Sequence, residues 1–216
     1  MPDRRRFLQS IAIAAVAPSA WAKSAGNRMD AGLGPLRADP NRVLDLPKGF
    51  SYEVISRYGE EMDDGLLTPA LHDGMAAFPG PGGTTMLVCN HENAARQQGF
   101  GPFGAAAERL AGIDPRKVYD YGRGMTPGTG GTTTIDYDTR TRQRDSIHLS
   151  LAGTEINCSG GPTPWGSWLS CEEVFRDDGS NFEWGYVVNR EKKHGYVFEV
   201  PVSPAGLADQ IGRAHV

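Results

Sequence analysis

The chain has 216 residues, of which 39% are hydrophobic and 22% charged, and it carries 28 glycines, 15 prolines and a formal net charge of −4. The apolar content is too high for a disordered chain, while the Gly and Pro excess argues against a helical bundle and favours short strands joined by tight turns. The acidic balance gives no electrostatic support for nucleic-acid binding.

The first 22 residues resemble an export signal. They combine a basic region, a modest apolar run and a small-x-small cleavage site, supplied by Arg4, Arg5 and Arg6, by residues 11–16, and by Ala20, Trp21 and Ala22. The Arg-Arg-x-Phe-Leu order is similar to the twin-arginine signal, which predicts a periplasmic or secreted protein carried by the twin-arginine export machinery. The apolar run is far shorter than the about 20 residues that span a bilayer, so we expect no stable membrane anchor. A basic amphipathic N-terminal helix is the alternative.

The next part of the chain predicts an extended segment followed by strands. Residues 23–48 are rich in Gly, Pro, Ala and Asp and are typical of extended chain. Residues 51–58 contain several β-formers and predict a strand. Residues 75–78 and 84–89 flank a Gly- and Pro-rich loop and predict a strand–loop–strand unit. Residues 105–110 are the one segment that predicts a helical turn.

The second half of the chain predicts further strands. Residues 132–137 and 146–151 alternate around a turn-prone segment and predict the clearest hairpin. Residues 165–171 and 196–200 predict two more strands. Across residues 132–200 this order is close to one four-stranded blade, so we predict an all-β fold and, more specifically, a β-propeller with loop insertions.

Residues 153–173 form an unusual Gly- and Pro-rich segment that carries several potential metal ligands. These are Glu155, Asn157, Cys158, Glu172 and Glu173. The thiolate of Cys158 is a soft donor and the carboxylates are hard donors, a mixture that suits iron through sulfur and calcium through oxygen. The alternative is that Cys158 is a small buried residue and that the carboxylates are solvated.

A second polar group follows the buried-looking residues 87–89. It consists of Asn90, His91, Glu92 and Asn93, and another His-Asp pair, His72 and Asp73, precedes the neighbouring strand. Strand ends are rigid places from which side chains project into sites, so these residues predict a polar rim. Structural, hydrogen-bonded histidines and an exposed loop carboxylate are the alternative interpretation.

Three cysteines are an odd number for an exported protein, so at least one has no partner within the chain. Cys158 and Cys171 could form a disulfide. A protein that folds before export could instead give one of these thiols to a metal in the reducing cytoplasm. Cys89 lies between Val88 and Asn90 and is most simply a core residue.

Together these motifs resemble the PhoX family of alkaline phosphatases. The motifs are the twin-arginine leader, LHDGM at 71–75, LVCNHE at 87–92, GGTTT at 130–134, NCSGG at 157–161 and TPWGSWLSCEE at 163–173. The resemblance covers most of residues 35–200. It implies an exported, β-propeller-like, calcium-dependent phosphomonoesterase whose site combines a pair of ferric ions (Fe3+) with calcium ions.

The resemblance also implies roles for individual residues. Cys158 matches the thiolate ligand of iron and Glu173 a carboxylate metal ligand, while Glu172, Glu92 and Asp73 are matched by motif position. The implied reaction is an in-line displacement on a phosphate monoester, with the metals polarising the phosphoryl oxygens. No Ser or Thr nucleophile is required.

The resemblance predicts that the family's later carboxylates and its phosphate-contacting arginine would follow Val216. Residues 211–216 spell one reading frame of a common sequencing adapter, which predicts an artefactual tail. We therefore expect a signal peptide (1–22), the N-terminal part of an incomplete propeller (23–210) and a tail, with no activity in this fragment alone. An exported non-catalytic β-propeller that binds a ligand through the same rim stays open, as does, more remotely, a periplasmic oxidoreductase.

Overall fold

The computed structural model describes residues 32–203, 206–208 and 213–215, so the predicted signal peptide lies outside the described residues. Throughout this described part the regular elements are β-strands and single 3-10 turns, and it contains no α-helix. The prediction of an all-β fold is therefore confirmed. No helix in the described part is long and apolar enough to cross a membrane.

The strands follow one another with loops of very different length. In chain order they are β1 (Leu36–Arg37), β2 (Leu46–Pro47), β3 (His72–Pro79), β4 (Thr85–His91), β5 (Gly130–Asp138), β6 (Gln143–Thr154), β7 (Asn157–Pro162), β8 (Ser167–Glu172), β9 (Gly179–Glu183), β10 (Tyr186–Arg190), β11 (Tyr196–Pro201) and β12 (Arg213–His215). The 3-10 turns are Pro81–Gly83, Gln98–Phe100, Leu110–Gly112, Pro115–Lys117 and Gly122–Gly124.

Two of the predicted elements are wrong. Residues 51–58 contain no strand. The carbonyl of Ile55 accepts a hydrogen bond from the Arg144 side chain (2.7 Å) and not from the backbone N–H of a neighbouring strand. Residues 105–110 form turns because Ala107 takes a left-handed φ of 53°, which interrupts a helix. The other predicted strands are confirmed as β3, β4, β5, β6, β8 and β11.

The chain divides into two compact units after Val54. In the first unit β1 and β2 pair antiparallel, and the loop between them is organised by one carboxylate. Asp39 accepts the backbone N–H groups of Asn41 and Val43 and the hydroxyl of Tyr52 (2.6 Å). The hydrogen bond from Tyr52 is the main reason that the pKa of Asp39 is lowered to about 2.

The second unit begins with a four-stranded antiparallel sheet, termed sheet I, in the order β3-β4-β5-β6. Its free edge at β6 is covered by a loop. The carboxylates of Asp63 and Asp64 accept the N–H groups of Ile147 and Leu149, each at 2.7 Å. These side chains take the place of a fifth strand and block further pairing at this edge.

Another four-stranded antiparallel sheet, termed sheet II, has the order β7-β8-β11-β12. The hairpin β9–β10 is inserted between β8 and β11 as a separate two-stranded sheet. It turns at Trp184 and Gly185, whose φ angles of 50° and 92° suit a two-residue hairpin. The predicted tail contributes β12 by its backbone, while residues 211, 212 and 216 lie outside the described residues.

The two sheets share a hydrophobic core. Sheet I contributes Phe78, Met86 and Val88, and sheet II contributes Trp168 and Val200. The opposite face of sheet I packs on a second cluster that includes Ile135, Ile147 and Leu149, so both of its faces are buried.

The blade predicted across residues 132–200 is therefore wrong in its grouping. The hairpin β5–β6 extends β3 and β4, whereas β8 and β11 belong to sheet II. The β-propeller itself stays a prediction.

Candidate functional site

Strand ends from both sheets meet at one edge, termed the rim. β3 begins where β4 ends, since His72 pairs with His91, and β7 likewise begins where β8 ends. β3 and β7 approach closely because Gly74 has no side chain, and a Cβ there would lie 2.5 Å from the carbonyl oxygen of Cys158. The polar residues that flank these strands are thereby brought together.

Four of the five predicted ligands lie side by side at the rim. The carboxyl groups of Asp73 and Glu92 are close enough to interact by hydrogen bonding and by charge. Glu173 lies near Glu92 and within hydrogen-bonding reach of the Cys158 thiol. We term these four residues the rim cluster. The fold thus joins residues from four separate stretches of sequence.

Cys158 occupies a β-bulge within β7. Asn157 pairs with Glu172 and Ser159 pairs with Cys171, so Cys158 has no cross-strand partner of its own. A bulge bends the strand and changes the direction of the side chain that it carries. The half-buried thiol of Cys158 lies 3.7 Å from the Ser159 hydroxyl.

The rim cluster holds negative charge without a basic partner. Burial, and after it the charges of Asp73 and Glu173, raises the pKa of Glu92. Burial and the neighbouring Glu173 also raise the pKa of the Cys158 thiol. Within the described residues, the three carboxylates form no ion pair with Lys, Arg or His. Carboxylates that repel one another in this way favour a cation between them.

The members of the rim cluster follow one another as neighbouring pairs, from Asp73 through Glu92 and Glu173 to Cys158. They do not converge on a single point. No three His, Cys, Asp or Glu side chains among the described residues are placed to hold one metal ion together. The assignment of the predicted residues as metal ligands therefore stays a prediction.

Glu172, the fifth predicted ligand, points into the interior. Its Oε1 accepts the backbone N–H of Glu155 (2.8 Å) and lies 2.6 Å from Nδ1 of His194. Its Oε2 accepts the backbone N–H groups of Gly195 (2.6 Å) and Tyr196 (3.1 Å). Both oxygens are occupied by internal donors, which distinguishes Glu172 from the rim cluster.

Glu172 is part of a larger set of ionisable side chains, termed the buried charge network. Its members are Asp120, Glu155, Glu172, Glu183, Arg190 and His194. Arg190, only 1% exposed, donates to Glu155 through Nε (2.5 Å) and Nη2 (3.0 Å) and to Glu183 through Nη1 (2.5 Å). Each carboxylate of this network thus faces a cationic group or backbone N–H donors.

His194 lies between two carboxylates of the buried charge network. Its Nε2 is 3.2 Å from Asp120 Oδ2 and its Nδ1 is 2.6 Å from Glu172. Burial alone would lower the pKa of His194, but the hydrogen bonds to Asp120 and Glu172 raise it to about 9. Asp120 also accepts the N–H groups of Gly122 and Glu191, which fixes the loops on either side.

The two histidines predicted for the rim differ in their surroundings. His91 is buried, and its ring nitrogens lie 2.9 Å from the carbonyl of Ala70 and 2.9 Å from the hydroxyl of Thr133. Burial lowers the pKa of His91 to about 3, which favours the structural interpretation of this neutral ring. His72 is more exposed and lies 3.2 Å from the Ser56 hydroxyl.

The three cysteines are all unpaired in the structure. Cys171 lies close enough to Cys158 for that neighbour, together with burial, to raise the pKa of its thiol. Cys89 is buried, and burial raises its pKa to about 11, in agreement with its interpretation as a core residue.

Sequence reasoning did not identify Asp120, Glu183, Arg190 or His194. A weak signal existed at Arg190, because this basic residue ends a strand that contains apolar Val187 and Val188, and a buried charge needs a partner.

The family described as Alkaline phosphatase PhoX matches residues 31–209, which include the rim cluster and the buried charge network. No curated protein and no solved structure gives a significant match. The matched segment covers most of the chain. The chain therefore belongs to the PhoX family of alkaline phosphatases, which are phosphatase-type hydrolases.

Proposed function

We propose that the protein is an exported, metal-dependent phosphomonoesterase that holds iron and calcium ions at the rim cluster. The observation that carries this proposal is the gathering of Asp73, Glu92 and Glu173 beside Cys158, with no basic partner among the described residues. Family membership supplies the class of reaction, hydrolysis of a phosphate ester.

The donor chemistry of the rim cluster fits these ions. The thiolate of Cys158 suits Fe3+, and carboxylate oxygens are the ligands that Ca2+ prefers. Burial, and after it the charges of Asp73 and Glu173, raises the pKa of Glu92, and a cation bound here would neutralise those charges. Because a metal binds the thiolate and not the thiol, metal binding would also release the proton of Cys158.

The residues of the rim cluster would bind the metal ions and fix their positions. When bound, the metal ions would polarise the phosphoryl oxygens and stabilise the charge that develops on them. Glu173 lies within hydrogen-bonding reach of the Cys158 thiol, and Glu92 lies between Glu173 and Asp73, so all four could contribute ligands. All four lie on or next to strand ends, so their positions are set before a substrate arrives.

We further propose that sheets I and II are N-terminal blades of a β-propeller and that Arg4, Arg5, Ala20 and Ala22 direct twin-arginine export. Two four-stranded antiparallel sheets packed face to face support the first part. We also propose that the described residues alone do not supply a complete ligand set, so that the 216-residue chain by itself is inactive.

The direct test is the turnover of para-nitrophenyl phosphate by the natural full-length protein, with and without a calcium chelator. We expect turnover that requires calcium and that falls at least about 100-fold in Cys158→Ala and Glu173→Gln, since loss of a ligand removes several kcal/mol of charge stabilisation. Cys89→Ala and Asp178→Asn serve as matched controls, because Cys89 is a core thiol and Asp178 an exposed carboxylate.

Cation binding gives a readout that does not depend on activity. A cation at 100 times its Kd should raise the free energy of unfolding by about 2.7 kcal/mol. Iron content together with calcium-dependent turnover supports the proposal. A folded protein that binds neither ion and hydrolyses no phosphate ester contradicts it and favours the non-catalytic binding propeller.

A further inference from the structure

We infer that Asn90 is a positioning residue for the Cys158 thiol. It acts through hydrogen bonds that hold Ser159, the residue after Cys158, and connect it to Asn157, the residue before Cys158. Asn90 is completely buried near the end of β4, two residues before Glu92. It touches no member of the rim cluster through its side chain. Its amide instead bridges sheet I to both strands that carry the bulge.

The orientation of the Asn90 amide follows from its partners. An indole N–H can only donate, so Trp168 Nε1, at 2.9 Å, identifies the facing atom as Oδ1. The Ser170 hydroxyl donates to the same oxygen (2.8 Å). The amide nitrogen is thereby directed to the carbonyl of Ser159, to which it donates at 3.0 Å.

The residue before Cys158 is fixed by the same set of bonds. Asn157, also completely buried, donates through Nδ2 to the hydroxyl of Ser170 (2.9 Å). The Ser170 hydroxyl donates to Oδ1 of Asn90, and Nδ2 of Asn90 donates to the carbonyl of Ser159. Side-chain hydrogen bonds therefore run from one neighbour of Cys158 to the other.

This arrangement matters because a bulge residue lacks cross-strand hydrogen bonds that would fix it. Gly74 packs against the backbone of Cys158 from β3, since a Cβ at Gly74 would lie 2.5 Å from the Cys158 carbonyl oxygen. A buried polar network whose groups are satisfied is rigid. Asn90 thus sets the position of Cys158 relative to the end of β4, which carries Glu92.

The test measures how accessible the Cys158 thiol is to an alkylating reagent, in the full-length protein freed of metal by a chelator. The rate of Cys158 alkylation by iodoacetamide is followed by peptide mass spectrometry, with buried Cys89 as the internal reference for an intact fold. We expect Asn90→Ala to raise the Cys158 rate about tenfold, because the half-buried thiol can then move toward solvent, while Cys89 stays protected. Asn189→Ala is the matched control, since Asn189 is a buried asparagine that bonds Ser180 on the β9–β10 hairpin.

A second variant disturbs the bulge without removing a hydrogen bond. Gly74→Ala places a methyl group against the Cys158 carbonyl, and we expect the same rise in the Cys158 rate. If Cys89 becomes reactive in Asn90→Ala, the fold of that variant is disturbed, and Gly74→Ala then serves as the test. A Cys158 rate within twofold of the unsubstituted protein, in a variant that keeps Cys89 protected, overturns the inference.

The link to metal binding rests on the proposed function and is tested separately. Titration with Fe3+, followed by the thiolate-to-iron absorption band, should show affinity weakened 10- to 100-fold in Asn90→Ala, the usual effect of losing a residue that orients a ligand. If no band forms in the unsubstituted protein while alkylation responds as expected, the proposed function fails and the positioning role stands. If the band forms and Asn90→Ala changes neither readout, the positioning role fails alone.

Discussion

Glu172 and Glu173 are adjacent in sequence and belong to opposite kinds of acidic cluster. Glu172 is the last residue of β8 and continues the buried face that carries Trp168 and Ser170. There its carboxylate contacts His194 and accepts backbone N–H groups. Glu173 follows the strand end and lies at the rim, beside the carboxylate of Glu92 and the thiol of Cys158.

The difference lies in whether the charge is satisfied within the protein. The buried charge network gives every carboxylate a donor, so it stabilises the fold and leaves no ligand position free. In the rim cluster, burial and then the neighbouring carboxylates raise the pKa of Glu92, an arrangement that costs stability unless something outside the chain neutralises the charge. Unsatisfied charge therefore distinguishes the candidate site from the buried charge network better than the density of acidic residues does.

The largest expected effect comes from opening the buried charge network. Arg190→Met leaves the carboxylates of Glu155 and Glu183 without their guanidinium, and loss of one partner of a buried ion pair costs about 3–5 kcal/mol. The free energy of unfolding from urea titration measures this. Arg116→Met removes an exposed pair with Asp114 and should cost far less, because solvent screens the pair. Equal losses in the two variants would contradict the distinction between the clusters.

A smaller effect is expected from pH, through His194. Its pKa is about 9 in the folded protein and about 6.5 in an unfolded chain. The resulting stabilisation is fully present below pH 6.5 and is lost as the pH rises through 9, with about 1.4 kcal/mol for each unit of pKa difference. Asp120, Glu172 and Glu155 face the ring and set this shift.

Urea titrations between pH 6 and 9.5 measure this loss. His194→Gln should flatten the profile within that window because the titrating group is gone. A profile that keeps the same slope in His194→Gln would assign the pH dependence to other groups.

The sequence predicted those parts of the fold in which local pattern and final packing agree. The residues predicted for the hairpin, 132–137 and 146–151, lie within β5 and β6, although β6 extends three residues further at each end. β7 was not predicted, because Asn-Cys-Ser-Gly-Gly-Pro is typical of a loop. It forms a strand where Gly160 allows the backbone of Leu169 to come so close that no Cβ would fit.

The site was predictable only to the level of residue types. All five ligands were predicted from the family motifs, and Asp73 and Glu92 were also expected at a polar rim because they lie next to predicted strands. The separation of Glu172 from Glu173 depends on where β8 ends and on His194, which is more than 20 residues away and comes into contact only after β11 has paired with β8. Two identical neighbours carry no local signal for such a difference.

The smallest expected effect compares these two neighbours directly, in the metal-free protein at pH 7. Glu173→Gln removes one repulsion from Glu92, so the pKa of Glu92 should fall toward its ordinary value and the free energy of unfolding should rise by a few tenths of a kcal/mol. Glu172→Gln replaces a buried acceptor by a donor facing other donors and should lower it by about 1–3 kcal/mol. Urea titration gives the free energies, and NMR titration of the Glu92 carboxyl gives its pKa. A loss of stability in Glu173→Gln would show that this carboxylate is satisfied within the chain, and the rim cluster would then lose the feature that separates it from the buried charge network.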